Sequence, residues 1–237
     1  MGRMPEYFVG CLWEKGKKEK NQDSLAFWWM NKNFHHCLLG VICDGIGGLS
    51  EGENASTYAV KQLVAWFLSE GYYEKNLRLL EKRIQQLLYQ LHFEIKEYGR
   101  EKRITLGTTI SLFLVRDRQL LWVHFGDSRI YLLKKSKLIQ LTRDHKENNG
   151  ALNKALGPGE WSLPDMGRIR LGNKDRILVC SDGFYRGLEM EEIRTLLKRN
   201  VRENETAERM LKLIYQKKCA MGERDDISAI FLGFREE

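Results

Sequence analysis

Hydrophobic positions along the chain follow two rhythms. Runs rich in aliphatic, aromatic and β-branched residues at Tyr7–Trp13, Ser24–Met30 and His36–Cys43 predict three opening strands. The spacing then lengthens to three and four: Ala55, Ala59, Leu63 and Trp66 predict a helix from about Glu53 to Leu68. Leu77, Leu80, Ile84, Leu87, Leu88 and Leu91 predict a second, from about Glu74 to Tyr98. Strands return at Thr108–Arg116, Gln119–Phe125, Arg129–Lys134 and Leu138–Leu141, joined by short turns that favour antiparallel pairing over crossovers. Two more fall near Arg168–Leu171 and Asp175–Cys180, then helices at Glu189–Lys198 and Glu205–Cys219, and a last strand at Ile227–Phe234. Strand runs alternating with helix pairs predict an α+β sandwich, antiparallel sheets faced by antiparallel helices.

Composition narrows the class. At 237 residues, 43% hydrophobic and 11% aromatic, the chain carries too much apolar surface for disorder. Three prolines and no Ser/Gly-rich linker leave no domain boundary, so one domain over 1–237 is expected. Its apolar runs fall far short of the roughly 20 residues of a membrane span, and Met1 to Gly10 has no signal-type apolar segment. Cys11, Cys37, Cys43, Cys180 and Cys219 are scattered without CxxC spacing, which argues against a disulfide framework or a zinc site. A soluble, cytoplasmic protein is expected. The net charge of +7 comes largely from mixed-sign stretches such as Glu81 to Arg103, which read as solvated helix faces rather than a nucleic-acid footprint.

Candidate chemistry lies where apolar runs end. Leu38 to Cys43 gives way to Asp44-Gly45, Ile177 to Ser181 to Asp182-Gly183, and Leu120 to Gly126 to Asp127-Ser128-Arg129. Asp-Gly is singly a common turn dipeptide. Three such ends, with Asp23 near the start and Asp225-Asp226 before the last strand, fit carboxylates converging on hard divalent cations of the Mg2+ or Mn2+ kind. In that arrangement Asp44 bridges two ions and Gly45 turns its carbonyl toward one. The stretch Asp44 to Gly52 also invites a phosphate-loop reading, but Ser50 stands where GxGxxG needs glycine and the P-loop lysine is missing. His35, His36, His92 and His124 have no partner at metal-ligand spacing.

These residues carry a resemblance. Lys18-Glu19-Lys20-Asn21-Gln22-Asp23-Ser24, Val41-Ile42-Cys43-Asp44-Gly45-Ile46-Gly47-Gly48, Leu106-Gly107-Thr108-Thr109, Phe125-Gly126-Asp127-Ser128-Arg129, Leu141-Thr142-Arg143-Asp144-His145, Cys180-Ser181-Asp182-Gly183 and Asp225-Asp226-Ile227-Ser228 occur in that order. The series resembles that of the PP2C-type, metal-dependent serine/threonine phosphatases, especially their compact bacterial members, over nearly the whole chain. The resemblance implies a four-layer α-β-β-α fold around a central antiparallel β-sandwich, with two Mn2+ or Mg2+ ions at one end of the sheets. Carried over by position, Asp44 bridges both ions, Gly45 ligates one, Asp182 and Asp225 hold the other, Asp23 positions the attacking water, and Asp127 helps hold a weaker third ion. It implies hydrolysis of phosphoserine and phosphothreonine in phosphoprotein partners by a metal-activated water, by a monomer with no nucleic-acid or membrane partner.

The departures are specific. Gln22 stands where the family often has Glu, and Lys18 falls where an arginine grips phosphate, keeping the charge without the fork. Ile46 replaces a histidine found in some members, and Tyr185-Arg186 an acid found in many. Only about nine residues separate His145 from Ala155, so a shortened flap is expected around 146–155. Gly107-Thr108-Thr109 and Asp144-His145 are expected to be structural, and Asp225 rather than Asp226 is expected to be the ligand. The rival reading is a pseudophosphatase, a phosphoprotein-binding module whose eroded site is marked by Gln22, Lys18 and Arg186.

Overall fold

The computed structural model describes residues 7–32, 35–46, 51–199 and 203–234; side chains at 31–32 and 35–36 are not described. Gly47, Gly48, Leu49 and Ser50 of the glycine-rich stretch lie outside the described residues. Among the described residues ten strands form two antiparallel sheets. One sheet orders β1 (Tyr7–Glu14), β10 (Ile227–Phe234), β9 (Arg176–Cys180), β6 (Arg129–Lys134) and β7 (Lys137–Gln140). The other orders β2 (Asp23–Lys32), β3 (His35–Asp44), β4 (Ile110–Arg116), β5 (Gln119–Phe125) and β8 (Asp165–Arg170). Helices α1 (Gly52–Trp66) and α2 (Leu77–Lys102) follow β3, the four-residue α3 (Asp182–Tyr185) and α4 (Met190–Lys198) follow β9, and α5 (Asn204–Ala220) precedes β10.

Period-two alternation along each strand divides the interior into three apolar layers. On β3, Leu39, Val41 and Cys43 pack with Leu112, Leu114, Leu121 and Val123 against Ala59, Leu63, Ile84 and Leu88 of α1 and α2. The alternate residues Leu38 and Ile42 turn inward and meet Ile130, Leu132, Val179 and Ile230 of the facing sheet. The outer face of that sheet, with Phe8, Tyr131, Leu178 and Phe231, packs on Ile193, Leu197, Ala207 and Leu211 of α4 and α5. The result is the expected four-layer α-β-β-α sandwich. Every residue of β4 and β10 is buried, because helices cover one face and a sheet the other, and such strands read as unbroken apolar runs.

Differences from the sequence reading are local. Helix α1 continues into a π-helical turn at Phe67–Gly71. Helix α2 starts three residues late because the Asn76 side chain accepts from the backbone N–H of Arg78 (3.0 Å) and Leu79 (3.3 Å), making it the cap. Strand β8 begins at Asp165, not Arg168; it is a sheet edge, so its polar start needs no apolar run. Helix α3, at four residues, is too short to show a helical period.

Phe113 on β4 is fully buried between the sheets, directly opposite Gly40 in the β3–β4 register and 6.5 Å from the Phe27 ring. Truncating it to alanine should cost ~3–5 kcal/mol and lower the melting temperature by roughly 10 °C. A loss below ~1 kcal/mol in thermal denaturation would mean the inter-sheet layer collapses to refill the space.

Candidate metal centre

The β2–β3 register sets Asp23 directly opposite Asp44. Directly opposed residues of an antiparallel pair project to one face, and two carboxylates so placed repel. Burial pushes Asp23 up to about 7, with Asp226 and Asp182 adding to the shift and the hydroxyls of Ser228 and Ser181 opposing it. Burial, then the charges of Asp23, Asp182, Asp127 and Asp225, holds the Asp44 carboxyl well above the usual carboxylate range. Asp182, the first residue of α3, is raised to about 6 by burial and by Asp127. Six carboxylates from five segments therefore act on one another, so the acidic residues Asp23, Asp44, Asp127, Asp182, Asp225 and Asp226 are gathered at one end of the sandwich.

The backbone beneath them is held by buried hydroxyls. Thr109 Oγ1 accepts from the Asp44 N–H at 2.9 Å and shares a hydrogen bond with the Ser128 hydroxyl at 3.0 Å. Thr108 Oγ1 donates to the Asp44 carbonyl at 3.0 Å, so Gly107-Thr108-Thr109 is structural, as expected. Trp13 donates its indole N–H to the Asp23 carbonyl at 2.8 Å. Gly45 is required by space: a Cβ there would lie 2.3 Å from the Gly52 carbonyl oxygen and 2.8 Å from that of Gln22. Arg129 forks onto Asp144 at 2.9 and 2.8 Å, while His145 Nδ1 accepts from the Gly126 N–H at 3.1 Å. Asp144 and His145 thus brace the turn that carries Asp127.

Asp225 and Asp226 separate cleanly. Asp226 is buried, and its two oxygens accept from the backbone N–H of Gly16 and Gln22, each at 2.8 Å, tying the β1–β2 connection to β10. Asp225 instead faces a cavity of about 350 Å³ lined by Lys17, Lys18, Arg186, Glu223 and Arg224. Glu223 accepts from the N–H groups of Arg224 (2.8 Å) and Asp225 (3.1 Å) and pairs with the buried Lys218 at 2.9 Å; Lys218 also donates to the Arg186 carbonyl.

No three Asp, Glu, His or Cys side chains among the described residues close on a single point. Basic side chains stand among the carboxylates instead. Lys18 reaches Asp225 at 2.6 Å and Asp226 at 3.8 Å. Burial alone would lower its pKa; the hydrogen bond and charge of Asp225, with Asp226 and Asp44 beyond, raise it. Arg186 pairs with Asp182 and lies 3.6 Å from Asp225, and Lys146 pairs with Asp127 and lies 3.9 Å from Asp182. Among the described residues three side-chain oxygens are orphaned: Asp23 Oδ2, Gln22 Oε1 and Ser228 Oγ are buried with no hydrogen-bond partner. A buried acceptor of that kind needs a donor or a cation, so the all-oxygen donor set around Asp23 and Asp44 fits a hard divalent ion.

Comparison with known proteins gives the family. The family model for protein phosphatase 2C matches residues 15–216. The chain belongs to the protein phosphatase 2C family. Membership makes it a protein phosphatase by class. The chain is 24% identical to protein phosphatase PhpP of Streptococcus pneumoniae, over 97% of this chain and 98% of that protein. It is 26% identical to serine/threonine phosphatase stp of Listeria monocytogenes, over 81% of this chain and 82% of that protein. Among solved structures, serine/threonine phosphatase Stp1 of Staphylococcus aureus superposes with a TM-score of 0.84 at 22% identity, covering 100% of both chains. The catalytic domain of the serine/threonine phosphatase PstP, solved with two manganese ions, gives 0.79 at 22% identity, over 97% of this chain and 99% of that one. These two likenesses establish the phosphatase 2C fold.

Lys146, and the Lys218–Glu223 brace, escaped the sequence reading. Lys146 stands beside a motif but pairs with residues on other elements, and nothing in a lone lysine signals that. Arg186 was visible only as a missing acid.

The raised carboxylates predict a pH signature in the metal-free protein. An acid whose folded pKa lies above its unfolded value penalises folding fully above the folded pKa, and the penalty fades as pH falls toward the unfolded one. For Asp23 that window runs from about 7 down to 3.8. In EDTA, Asp23→Asn should be more stable than wild type by ~2 kcal/mol above pH 7, about 4–8 °C in melting temperature. The gap should close as pH falls toward 4. Equal melting curves at pH 8 would show that Asp23 is not strained.

Proposed function

We propose that the chain hydrolyses phosphoserine and phosphothreonine monoesters in proteins at a binuclear Mn2+ or Mg2+ centre. One observation carries the reading: Asp23, buried, and Asp44, half-buried, stand directly opposite each other, and the charges of Asp182, Asp127 and Asp225 act on Asp44 as well. Carboxylates gathered at such cost are explained by cations between them. In this reading Asp44, the Gly45 carbonyl, Asp182 and Asp225 would hold the two ions. Two such cations, when bound, lower the pKa of a shared water and neutralise phosphoryl charge during in-line attack.

The chain's own residues do the rest. The orphaned Asp23 Oδ2 orients the attacking water and takes up its proton. Arg186, whose side chain is 52% exposed, swings out to free Asp182 and Asp225. Lys18, released from Asp225, faces the substrate phosphate as a point charge. Ile46 offers no proton, so the leaving alkoxide draws one from water. The reading takes 1–237 as one catalytic domain, with 146–155 as its shortened flap.

The test is turnover of p-nitrophenyl phosphate and a phosphothreonine peptide with Mn2+, Mg2+ or EDTA. Activity should require the ion, and Asp44→Asn should lower kcat/KM by at least ~100-fold, the loss of a group shared by both ions. No turnover by folded protein with either ion would pass the reading to a phosphoprotein-binding module.

A further inference from the structure

Lys146 roots on a braced piece of backbone. His145 is locked to the turn before Asp127 from both sides: its N–H donates to the Gly126 carbonyl at 2.8 Å, and its Nδ1 accepts from the Gly126 N–H at 3.1 Å. Beyond it the chain folds back on itself. Lys146 forms a bridge with Leu152, Glu147 donates to Ala151 at 2.9 Å, and Asn153 returns a hydrogen bond to the His145 carbonyl at 2.9 Å. This short hairpin-like loop, the segment read above as a shortened flap, aims the lysine back over the acidic end of the sheets.

The ammonium lands between two carboxylates. It pairs with Asp127 Oδ2 and sits 3.9 Å from Asp182 Oδ2; these side chains are only 5% and 10% exposed, and Lys146 itself 30%. Such burial separates the pair from surface ion pairs, which water screens. Arg186 is different in kind: it directly follows the short helix that Asp182 begins and is half in solvent, so it can leave. Lys146 reaches across from a separate, hydrogen-bonded loop. Without it, Asp127 and Asp182 would face each other with one positive charge fewer, and two oxygens in that position attract a cation.

We propose that Lys146 is a built-in countercation, holding the space between Asp127 and Asp182 so that the chain takes two divalent ions and not three. The proposal rests on the binuclear reading and replaces the expectation that Asp127 helps hold a third ion. A fixed ammonium supplies positive charge at every ion concentration. It cannot accept water as a ligand or be lost to a chelator. Activity should therefore saturate in one phase of added Mn2+, with no later rise at millimolar concentration.

Mn2+ binding, counted from the free-ion electron paramagnetic resonance signal, tests this directly. Wild type should bind two ions with no further uptake up to millimolar Mn2+. Lys146→Ala should gain a third, weaker site. Lys146→Arg, which keeps the charge, should stay at two, and melting curves would confirm that both variants fold. A third ion in wild type, or folded Lys146→Ala that stays at two, overturns the proposal and leaves the binuclear reading intact. Binding of no ion by wild type overturns both.

Discussion

Asp23 and Asp44 face each other across a single pair of strands, and much of the molecule is arranged to make that opposition tolerable. Two carboxylates on one face of an antiparallel ladder repel, and burial removes the water that would screen them. A surface hairpin would relieve the strain by slipping register or splaying. Here neither route is open. Slipping β3 by one residue would turn Leu39, Val41 and Cys43 away from the helices and put Leu38 and Ile42 in their place, undoing two apolar layers at once. The stability of those layers thus holds the acidic end in a state it would not choose alone.

Rigidity and mobility are divided by charge. The backbone of Asp44 and Asp23 is anchored by threonine hydroxyls and an indole N–H, and the Asp226 carboxylate by two backbone amides. Their counterions are long basic side chains that reach in from loops and from the residue after α3. In the binuclear reading, fixed anions with movable cations would let a denser cation enter with little backbone rearrangement. Lys146 is the exception, since its loop is pinned by hydrogen bonds on both sides. The neighbouring pair Asp225 and Asp226 shows how sharply roles divide: one accepts two amides and clamps a loop, the next faces the cavity and the basic residues.

The phosphatase 2C family keeps this frame at sequence identities in the low twenties per cent, as the Staphylococcus aureus and PstP structures show. Three apolar layers tolerate exchange of one aliphatic residue for another while volume and alternation are kept. The departures singled out in this chain, Gln22, Lys18, Ile46 and Arg186, lie instead at the acidic end, where a change of charge alters chemistry without touching the fold.

Sequence alone determined the strands, the long helices and the acidic candidates, because each depends on short-range patterns: period two or three-to-four in apolar residues, and carboxylates that end apolar runs. Most element ends were legible, apart from those set by a side-chain cap at Asn76, by the π-helical turn after α1 and by an edge strand that needs no apolar core, while the four-residue α3 left no signal at all. The ordered motifs around Asp23, Asp44, Asp127, Asp182 and Asp225 carried the family. Tertiary structure decided what pairs with what. It set Asp23 opposite Asp44, chose Asp226 for the clamp and Asp225 for the cavity, and brought Lys146 over Asp127. Lysines look alike along a chain. An ion pair is made by the convergence of remote segments, and only the packed sheets and loops bring those segments within a few ångströms.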